Sequence, residues 1–217
     1  MDLTTFSPSS ALLTVILLAL APFAAVMVTS FTKIVVVLSL LRNALGLQQV
    51  PPNLVINALA MVLTIYVMYP VGREVMTVLD ENPVVIESSA DLLRVADTAK
   101  EPVREFLLEH TDALEQRFFH NTIERIQNKD DAEPVAPTDF IVLVPAFTIS
   151  ELTEAFQIGF LIFLPFIVID LVIANILMAM GMLMLSPTII SLPFKLLLFV
   201  VVEGWAKLAH GLVLTYL

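Results

Sequence analysis

The amino-acid sequence predicts an all-α protein of membrane-associated helical hairpins with a small helical extracytoplasmic subdomain. The first observation is composition: 58% of the 217 residues are hydrophobic and 15% are charged, whereas soluble domains average ~45–50% and ~25%. The second is that the apolar residues lie in long blocks, with a mean hydropathy of +0.91. The third is that most charges fall between those blocks. This composition excludes a disordered chain and most soluble enzymes.

The charges divide the chain into three predicted segments. The stretch from Arg73 to Asp139 holds 16 of the 21 acidic residues and seven of the 11 basic ones. We therefore predict an N-terminal hydrophobic hairpin at 1–72, an acidic helical extracytoplasmic subdomain at 73–138 and C-terminal hydrophobic hairpins at 139–217. The net charge of −10 argues against nucleic acid as a partner, because phosphates require a basic surface.

The first block contains two candidate membrane spans. Ala11–Val28 is uncharged and Leu54–Val71 has two polar interruptions; each is close to the ~20 residues that cross a bilayer. Between them, Lys33–Asn53 carries two basic residues and no acidic one, which predicts a cytoplasmic loop that ends in a Pro51-Pro52 turn. No basic residue precedes Lys33, so we expect an uncleaved first helix rather than a signal peptide.

The second block allows two interpretations. Ala155–Leu185 is too long for one untilted span, and Ser186-Pro187 interrupts the apolar sequence after it. A conventional count gives four spans. The alternative, which we adopt, is two long helical hairpins broken at Pro165, Ser186-Pro187 and Pro193, since proline removes a helical hydrogen bond. A cytoplasmic Ser186–Lys195 loop would place the acidic segment and both termini across the membrane from it.

The acidic segment carries helix signals. Ser88–Asp91 has the spacing of a capping box, and Pro102 fits the first turn of a second helix. Six apolar residues then recur at steps of three, four and seven, which predicts one buried face on this second helix: Val103, Phe106, Leu107, Leu114, Phe118 and Ile126.

Signatures of enzymes are missing from the sequence. It has no glycine-rich phosphate loop, no His-Glu-x-x-His motif and no Gly-x-Ser-x-Gly elbow. It has no cysteine, which excludes thiolate catalysis, disulfides and Cys-ligated metal. The three histidines, His110, His120 and His210, are too scattered to suggest a shared metal ion. We predict that the chain is not an enzyme and uses neither cofactor nor metal.

Acidic residues within the apolar blocks are the first candidates for function. An unpaired carboxylate at Asp170 would cost at least ~2.5–3.5 kcal/mol in hydrocarbon. It could serve in an ion relay or form an ion pair, with Lys33 and Lys195 as possible partners, and we prefer structural pairing.

Thr148–Glu151 has capping-box spacing, so we expect the Glu151 carboxylate at a helix N-terminus. Glu154 could hold a cation or pair with a neighbouring chain.

Four methionines alternate around Gly181: Met178, Met180, Met182 and Met184. On a helix, alternation would point them in different directions, whereas in a loop they could crowd into one aperture. Their flexible thioether chains could close a pore and move aside for varied cargo. The alternative is ordinary apolar filler.

Ordered motifs in both apolar blocks resemble one known family. They are Phe31-Thr32-Lys33-Ile34-Val35-Val36-Val37-Leu38, Arg42-Asn43-Ala44-Leu45-Gly46, Gln48-Gln49-Val50-Pro51-Pro52-Asn53, Pro145-Ala146-Phe147-Thr148-Ile149-Ser150-Glu151-Leu152, Ala155-Phe156-Gln157-Ile158-Gly159-Phe160, Leu192-Pro193-Phe194-Lys195-Leu196 and Glu203-Gly204-Trp205. Together they resemble the FliP/SctR family, the export-gate subunits of flagellar and virulence type III secretion systems. The resemblance runs from about Phe23 to the C-terminus and is weakest in the acidic segment.

The resemblance implies a gated channel for unfolded secreted proteins, within the secretion-system basal body of the bacterial inner membrane. It implies a homopentamer that assembles with FliQ/SctS-like and FliR/SctT-like subunits into a helical ring, beside FlhB/SctU-like and FlhA/SctV-like subunits. The family's methionine-rich pore gasket maps onto Met182, Leu183 and Met184. Relatives usually carry consecutive methionines there, so Leu183 is a departure. Thr153 is another, because many relatives have lysine at that position.

We further predict structural or inter-subunit polar contacts for five residues: Lys33, Glu151, Asp170, Lys195 and Glu203. Two other functions stay open. A proton-coupled transporter would use Asp170 and Glu203, and an assembly scaffold of the secretion apparatus would have no contact with the pore. The lack of a basic signal peptide resembles the virulence branch of the family more than the flagellar one.

Overall fold

The computed structural model describes residues 8–81, 100–127, 134–182 and 184–217. Helices joined by turns make up these ranges, which contain no β-strand, and the predicted all-α fold class is confirmed. The predicted capping box at Ser88–Asp91 lies outside the described residues. The helices are α1 (Pro8–Met27), α2 (Phe31–Ala44), α3 (Asn53–Val67), α4 (Tyr69–Glu81), α5 (residues 100–109), α6 (Ala113–Ile126), α7 (Phe140–Ala179), α8 (Pro187–Val201) and α9 (Gly204–Leu214).

The chain divides into two compact units. The first comprises Met1–Ser30 and Met68–Glu151, and the second comprises Phe31–Val67 and Leu152–Leu217. The 40-residue helix α7 contributes to both units. The three-segment division at Arg73 and Asp139, which was based on charge, stays a prediction.

The core of the first unit forms where α5 meets the start of α7. Phe106 and Leu107 are buried, and the ring centroids of Phe106 and Phe147 lie 5.8 Å apart. The turn after α5 is attached to α7, since the Asp112 backbone amide donates to Ser150 Oγ over 2.9 Å. The α7 residues buried in this core are Val142, Leu143, Ala146 and Phe147.

The predicted second helix of the acidic segment is two helices. Asp112 caps α6 by accepting a hydrogen bond from the Leu114 amide, and the residues around it separate α5 from α6. The expectation of one buried face is therefore wrong after α5. The reason is that the cap starts a new helix with its own orientation. Three of the six predicted core residues are exposed in this chain: Leu114, Phe118 and Ile126.

The core of the second unit is built around α2. One face of α2 packs on α3, with residues of α7 and α9 completing the cluster: Ile34, Val37, Leu38, Ile56, Ala60, Ala155 and Leu212. A second cluster joins the end of α2 to α7 and α8: Leu41, Ala44, Leu45, Phe166 and Phe199. The predicted cytoplasmic loop at Lys33–Asn53 is wrong in its first part, because that stretch is the helix α2.

The prolines of the second block do not all break helices. α7 continues through Pro165 and α8 continues through Pro193, so the two breaks predicted there are wrong. A proline removes one helical hydrogen bond, and in an apolar environment the remaining backbone groups still have no better partner than the helix itself. The predicted break at Ser186-Pro187 is confirmed. There the serine is the N-cap of α8 and the proline occupies its first turn.

The two membrane spans of the first block stay predictions, and the helices match their positions only in part. α1 covers the predicted first span as a helix, but the predicted second span at Leu54–Val71 is interrupted by a turn at Met68. Pro70 lies in the first turn of α4, where its missing amide hydrogen removes no helical hydrogen bond. In the described part of the chain, α7 is long and apolar enough to cross a membrane, with a hydropathy of 2.6. The pairs α3–α4 and α8–α9 each qualify if taken as one span.

Candidate functional site

The loop between α7 and α8 begins with a helix stop that the sequence encodes. Gly181 has a φ of 72°, a left-handed conformation that only glycine adopts without a steric penalty. Its amide donates to the Met178 carbonyl over 3.0 Å, and the Met182 amide donates to the Leu177 carbonyl over 2.9 Å. These two bonds form a Schellman motif, which satisfies the last carbonyls of α7 and turns the chain away from the helix axis.

The methionines at the end of α7 and in this loop (residues 180–186, the methionine loop) are exposed in the single chain. Met184 is fully exposed, and Met178, Met180 and Met182 retain 57, 61 and 42% of their accessible surface. Leu183, the third predicted gasket residue, lies outside the described residues. A cluster of exposed methionines on a short loop is a flexible apolar surface that suits burial against another protein surface better than contact with water.

An ion pair connects the two helices on either side of this loop. Lys195 Nζ of α8 lies 2.7 Å from Asp170 Oδ2 of α7. Ser191, one turn before Lys195, donates its hydroxyl hydrogen to Asp170 Oδ1. Of the two lysines considered as partners for Asp170, Lys195 is therefore the one beside it. Lys195 is 3% exposed, so removing the carboxylate would leave a cation in a largely dry environment.

Lys195 also contacts the end of α2. Its Nζ donates to the Ala44 carbonyl over 3.3 Å, one of the four carbonyls that a helix C-terminus leaves without an intrahelical partner. A cation at this end of a helix is also favoured by the helix dipole. One ammonium group thus joins α2, α7 and α8 behind the methionine loop. This arrangement can fix the base of the loop while leaving its tip free.

A second ion pair lies elsewhere in the same unit. Lys33 Nζ of α2 is 2.7 Å from Glu154 Oε2 of α7, and it lies 4.1 Å from the centroid of the Tyr216 ring. The lysine is 1% exposed, whereas the Glu154 side chain is half exposed. Glu154, for which a cation site or a contact with another chain was considered, pairs within its own chain.

The other two acidic candidates occupy different environments. Glu151 is completely buried and lies 11 residues after the first residue of α7. The helix-terminal position predicted from Thr148–Glu151 is therefore wrong, because α7 starts upstream at Phe140. Glu203 is exposed at the break between α8 and α9, with a left-handed φ of 54° and no capping hydrogen bond from its side chain.

No group of three potential metal ligands forms among residues 8–81, 100–127, 134–182 and 184–217. His110 and His120 instead bond to backbone carbonyls of Phe106 and Val135 in the first unit. The predictions of no metal, no cofactor and no enzymatic activity stay predictions.

Comparison with known proteins identifies the family. The FliP family matches residues 12–212 of the chain. The chain belongs to the FliP family. The resemblance to FliP/SctR proteins drawn from the ordered motifs is thereby confirmed, and with it the assignment to type III protein secretion.

Several similar proteins match this FliP-family chain almost end to end. It is 53% identical over 205 residues to the "Pathogenicity-related ORF2" protein of Xanthomonas campestris pv. glycines, covering 94% of this chain and 95% of that protein. It is 51% identical over 210 residues to the hypersensitivity response secretion protein HrcR of Ralstonia nicotianae, covering 96% and 97%. It is 52% identical over 200 residues to the Yop proteins translocation protein R of Yersinia pestis, covering 92% of each.

Sequence reasoning missed three groups at the sites of this FliP-family chain: the Ser191 hydroxyl, the Ala44 carbonyl and the Tyr216 ring. Ser191 carried a usable signal, since it precedes Lys195 by four residues and thus lies on the same helix face. The other two carried none. A backbone carbonyl has no sequence signature, and Tyr216 is 183 residues away from Lys33.

Proposed function

We propose that this chain is a core pore-forming subunit of the type III secretion export apparatus, which provides a gated channel for unfolded proteins across the bacterial inner membrane. The observation that supports it most is the exposed methionine loop, whose two flanking helices are joined by the Asp170–Lys195 ion pair. Relatives named for secretion and translocation support the direction of transport.

In the proposed resting state, loops from several copies meet and their apolar side chains exclude water and ions. Met182, Leu183 and Met184 form this seal. Methionine suits it because three rotatable bonds let the side chain fill irregular gaps and then yield to a passing polypeptide. The role is passive, and other subunits supply the energy for transport.

The proposed assembly is a homopentamer with FliQ/SctS-like and FliR/SctT-like subunits, next to FlhB/SctU-like and FlhA/SctV-like subunits. The support is the apolar surface that one chain leaves uncovered, especially along α7, where 11% of the most apolar 18 residues are buried. Surface of this kind needs lipid or protein around it.

The experiment is to replace Met182, Leu183 and Met184 together with alanine and measure ion leak across the inner membrane of cells that hold the assembled apparatus. We expect leak to rise, because three small side chains leave the aperture open. Met61→Ala is the control, since Met61 is 57% exposed on α3 and outside the loop. Unchanged leak at matched assembly levels would contradict the seal.

The variant Asp170→Asn distinguishes the proposed pore subunit from a proton-coupled transporter. The carboxylate contacts Lys195 and Ser191, and this favours a structural role. We therefore expect loss of assembly, whereas a transporter would assemble normally and fail to transport.

The scaffold alternative predicts that a stalled substrate never crosslinks to cysteines at Met182 or Met184, where a pore subunit should crosslink.

A further inference from the structure

An open apolar groove of about 620 Å³ lies in the second unit, between the turn after α2 and the break between α8 and α9. Leu45 and Val50 line one side, and Leu196, Phe199, Val200 and Trp205 line the other. The volume is in the range of sites that hold several side chains or a small molecule. No described part of the chain fills the groove.

Glu203 is the charged residue among those that line this groove. Its carboxylate makes no capping hydrogen bond and no ion pair or hydrogen bond with any residue that the structure describes, whereas its backbone amide and carbonyl bond to Val200 and Lys207. Its left-handed backbone is unfavourable for a residue with a Cβ atom. Glycine would adopt this left-handed conformation at the break between α8 and α9 without strain. A glutamate at this position therefore indicates a role for its carboxylate.

The surroundings of Glu203 indicate that its carboxylate pairs with a cation. Val200 and Val201 are each 71% exposed, and Trp205 is 41% exposed, so the carboxylate lies within an apolar surface rather than a polar one. Once lipid or protein covers such a surface, a carboxylate without a counter-charge is strongly unfavourable. A cation that reached Glu203 would also meet the indole ring beside it, a favourable contact for Lys or Arg.

We propose that the groove binds an apolar segment of a different subunit of the secretion apparatus, and that a Lys or Arg of this segment pairs with Glu203. The proposal rests on the proposed function insofar as it requires an assembly. Apolar side chains of the segment would fill the groove, and the charge pair would fix its register.

A second copy of this chain fits the groove less well. In its apolar blocks, Lys33 and Lys195 are buried in ion pairs, and Arg42 donates to the Asn53 side chain. That leaves Lys207, which lines a different cavity with Ile158 and Leu161. An apolar segment of a second copy could thus offer Glu203 only Lys207, and we assign the cation to a different polypeptide.

The test places the photo-reactive residue p-benzoylphenylalanine at Val200 in cells that express the complete apparatus. Val201 is the matched control, because it has the same exposure but does not line the groove. We expect irradiation to attach a peptide of another apparatus subunit to position 200, with a Lys or Arg within about one helical turn of the attachment point.

Charge variants then test the pairing itself. Glu203→Gln should lower the crosslink yield by about fivefold or more, whereas Glu203→Asp should retain most of it. Glu203→Gly also removes the charge but relieves the backbone, so it should lose the crosslink while folding normally. Glu203→Lys should be rescued when the captured Lys or Arg is changed to Glu.

Three outcomes would overturn the proposal: a crosslink to phospholipid, a crosslink to a second copy of this chain, or a yield that does not respond to Glu203→Gln. The outcome is separable from that of the proposed function. If the crosslink is absent while the triple-alanine loop variant leaks ions, the groove proposal fails and the pore stands. If the crosslink forms but the triple-alanine variant leaks no ions, the groove proposal stands and the proposed pore seal fails.

Discussion

Lys195 carries an ammonium group into the interior of the second unit, where it contacts Asp170 and the Ala44 carbonyl. Lys195→Met removes the charge while keeping a similar apolar length, and it leaves the Asp170 carboxylate without its counter-charge. We expect the free energy of unfolding to fall by about 1–3 kcal/mol, less than for a fully buried pair because the Asp170 side chain is 34% exposed and water can solvate its carboxylate. Thermal unfolding of the detergent-solubilised protein measures this loss.

Lys207→Met is the control for that measurement. Lys207 is exposed on α9, so its replacement should change the free energy of unfolding by no more than about 0.5 kcal/mol. The double variant Lys195→Met with Asp170→Asn should recover part of the loss, because no buried charge then lacks a partner. Equal melting temperatures for Lys195→Met and Lys207→Met would show that the ion pair contributes little.

Sequence reasoning at the level of single residues narrowed the partner of Asp170 to two lysines. The structure separates them: Lys195 reaches Asp170, whereas Lys33 reaches Glu154. Sequence could not separate them because the choice depends on which helices pack together, and charge patterns carry no information about that. The same limit explains why the positive-inside argument used Lys33 and Lys195 as loop residues although both lie buried in helices.

At the level of elements, α2 and α7 pack closely in the second unit at Gly159. A Cβ atom added to this residue of α7 would lie 2.2 Å from the Leu40 side chain of α2. Gly159→Ala should therefore push the two helices apart and cost about 1–3 kcal/mol, the usual effect of overpacking. The melting temperature of the purified protein and the yield of assembled apparatus measure the change.

Leu40→Ala in the Gly159→Ala background should restore part of that stability, since it removes the atoms that the new methyl group meets. Gly211→Ala is the matched control, because Gly211 lies in α9 and a Cβ there meets nothing within 4 Å. It should be neutral or slightly stabilising. A Gly159→Ala protein as stable as the Gly211→Ala protein would contradict the close contact.

The pattern of apolar and polar residues predicted the helical class and the stop at Ser186-Pro187, but it was less reliable for helix boundaries. Pro165 and Pro193 carry the same local signal as Pro187, and only Pro187 starts a helix. The difference is that Gly181 and Ser186 supply the C-terminal and N-terminal signals around Pro187, whereas nothing near the other two does. A proline without such neighbours was insufficient evidence for a break.

At the level of the whole molecule, the length of α7 sets a limit on what lipid can cover. A helix of 40 residues is about 60 Å long, twice the ~30 Å of bilayer hydrocarbon. Its exposed apolar residues nevertheless occur along most of that length, from Ile141 through Phe160 and Leu171 to Ile176. Lipid can therefore cover about half of α7, and protein must cover the rest.

Labels placed along α7 should respond to different degrees to quenchers attached to lipid. Because the chain has no cysteine, single cysteines at Ile141, Phe160 and Ile176 can each carry a fluorescent label in the assembled apparatus. Quenching by nitroxide-labelled phospholipid should be strong over at most about 20 consecutive residues and weak at one or more of these positions. A cysteine at the buried Ala155 gives the unquenched baseline. Strong quenching at all three positions would mean that lipid surrounds α7 throughout, and the multi-subunit channel would then lose its main physical support.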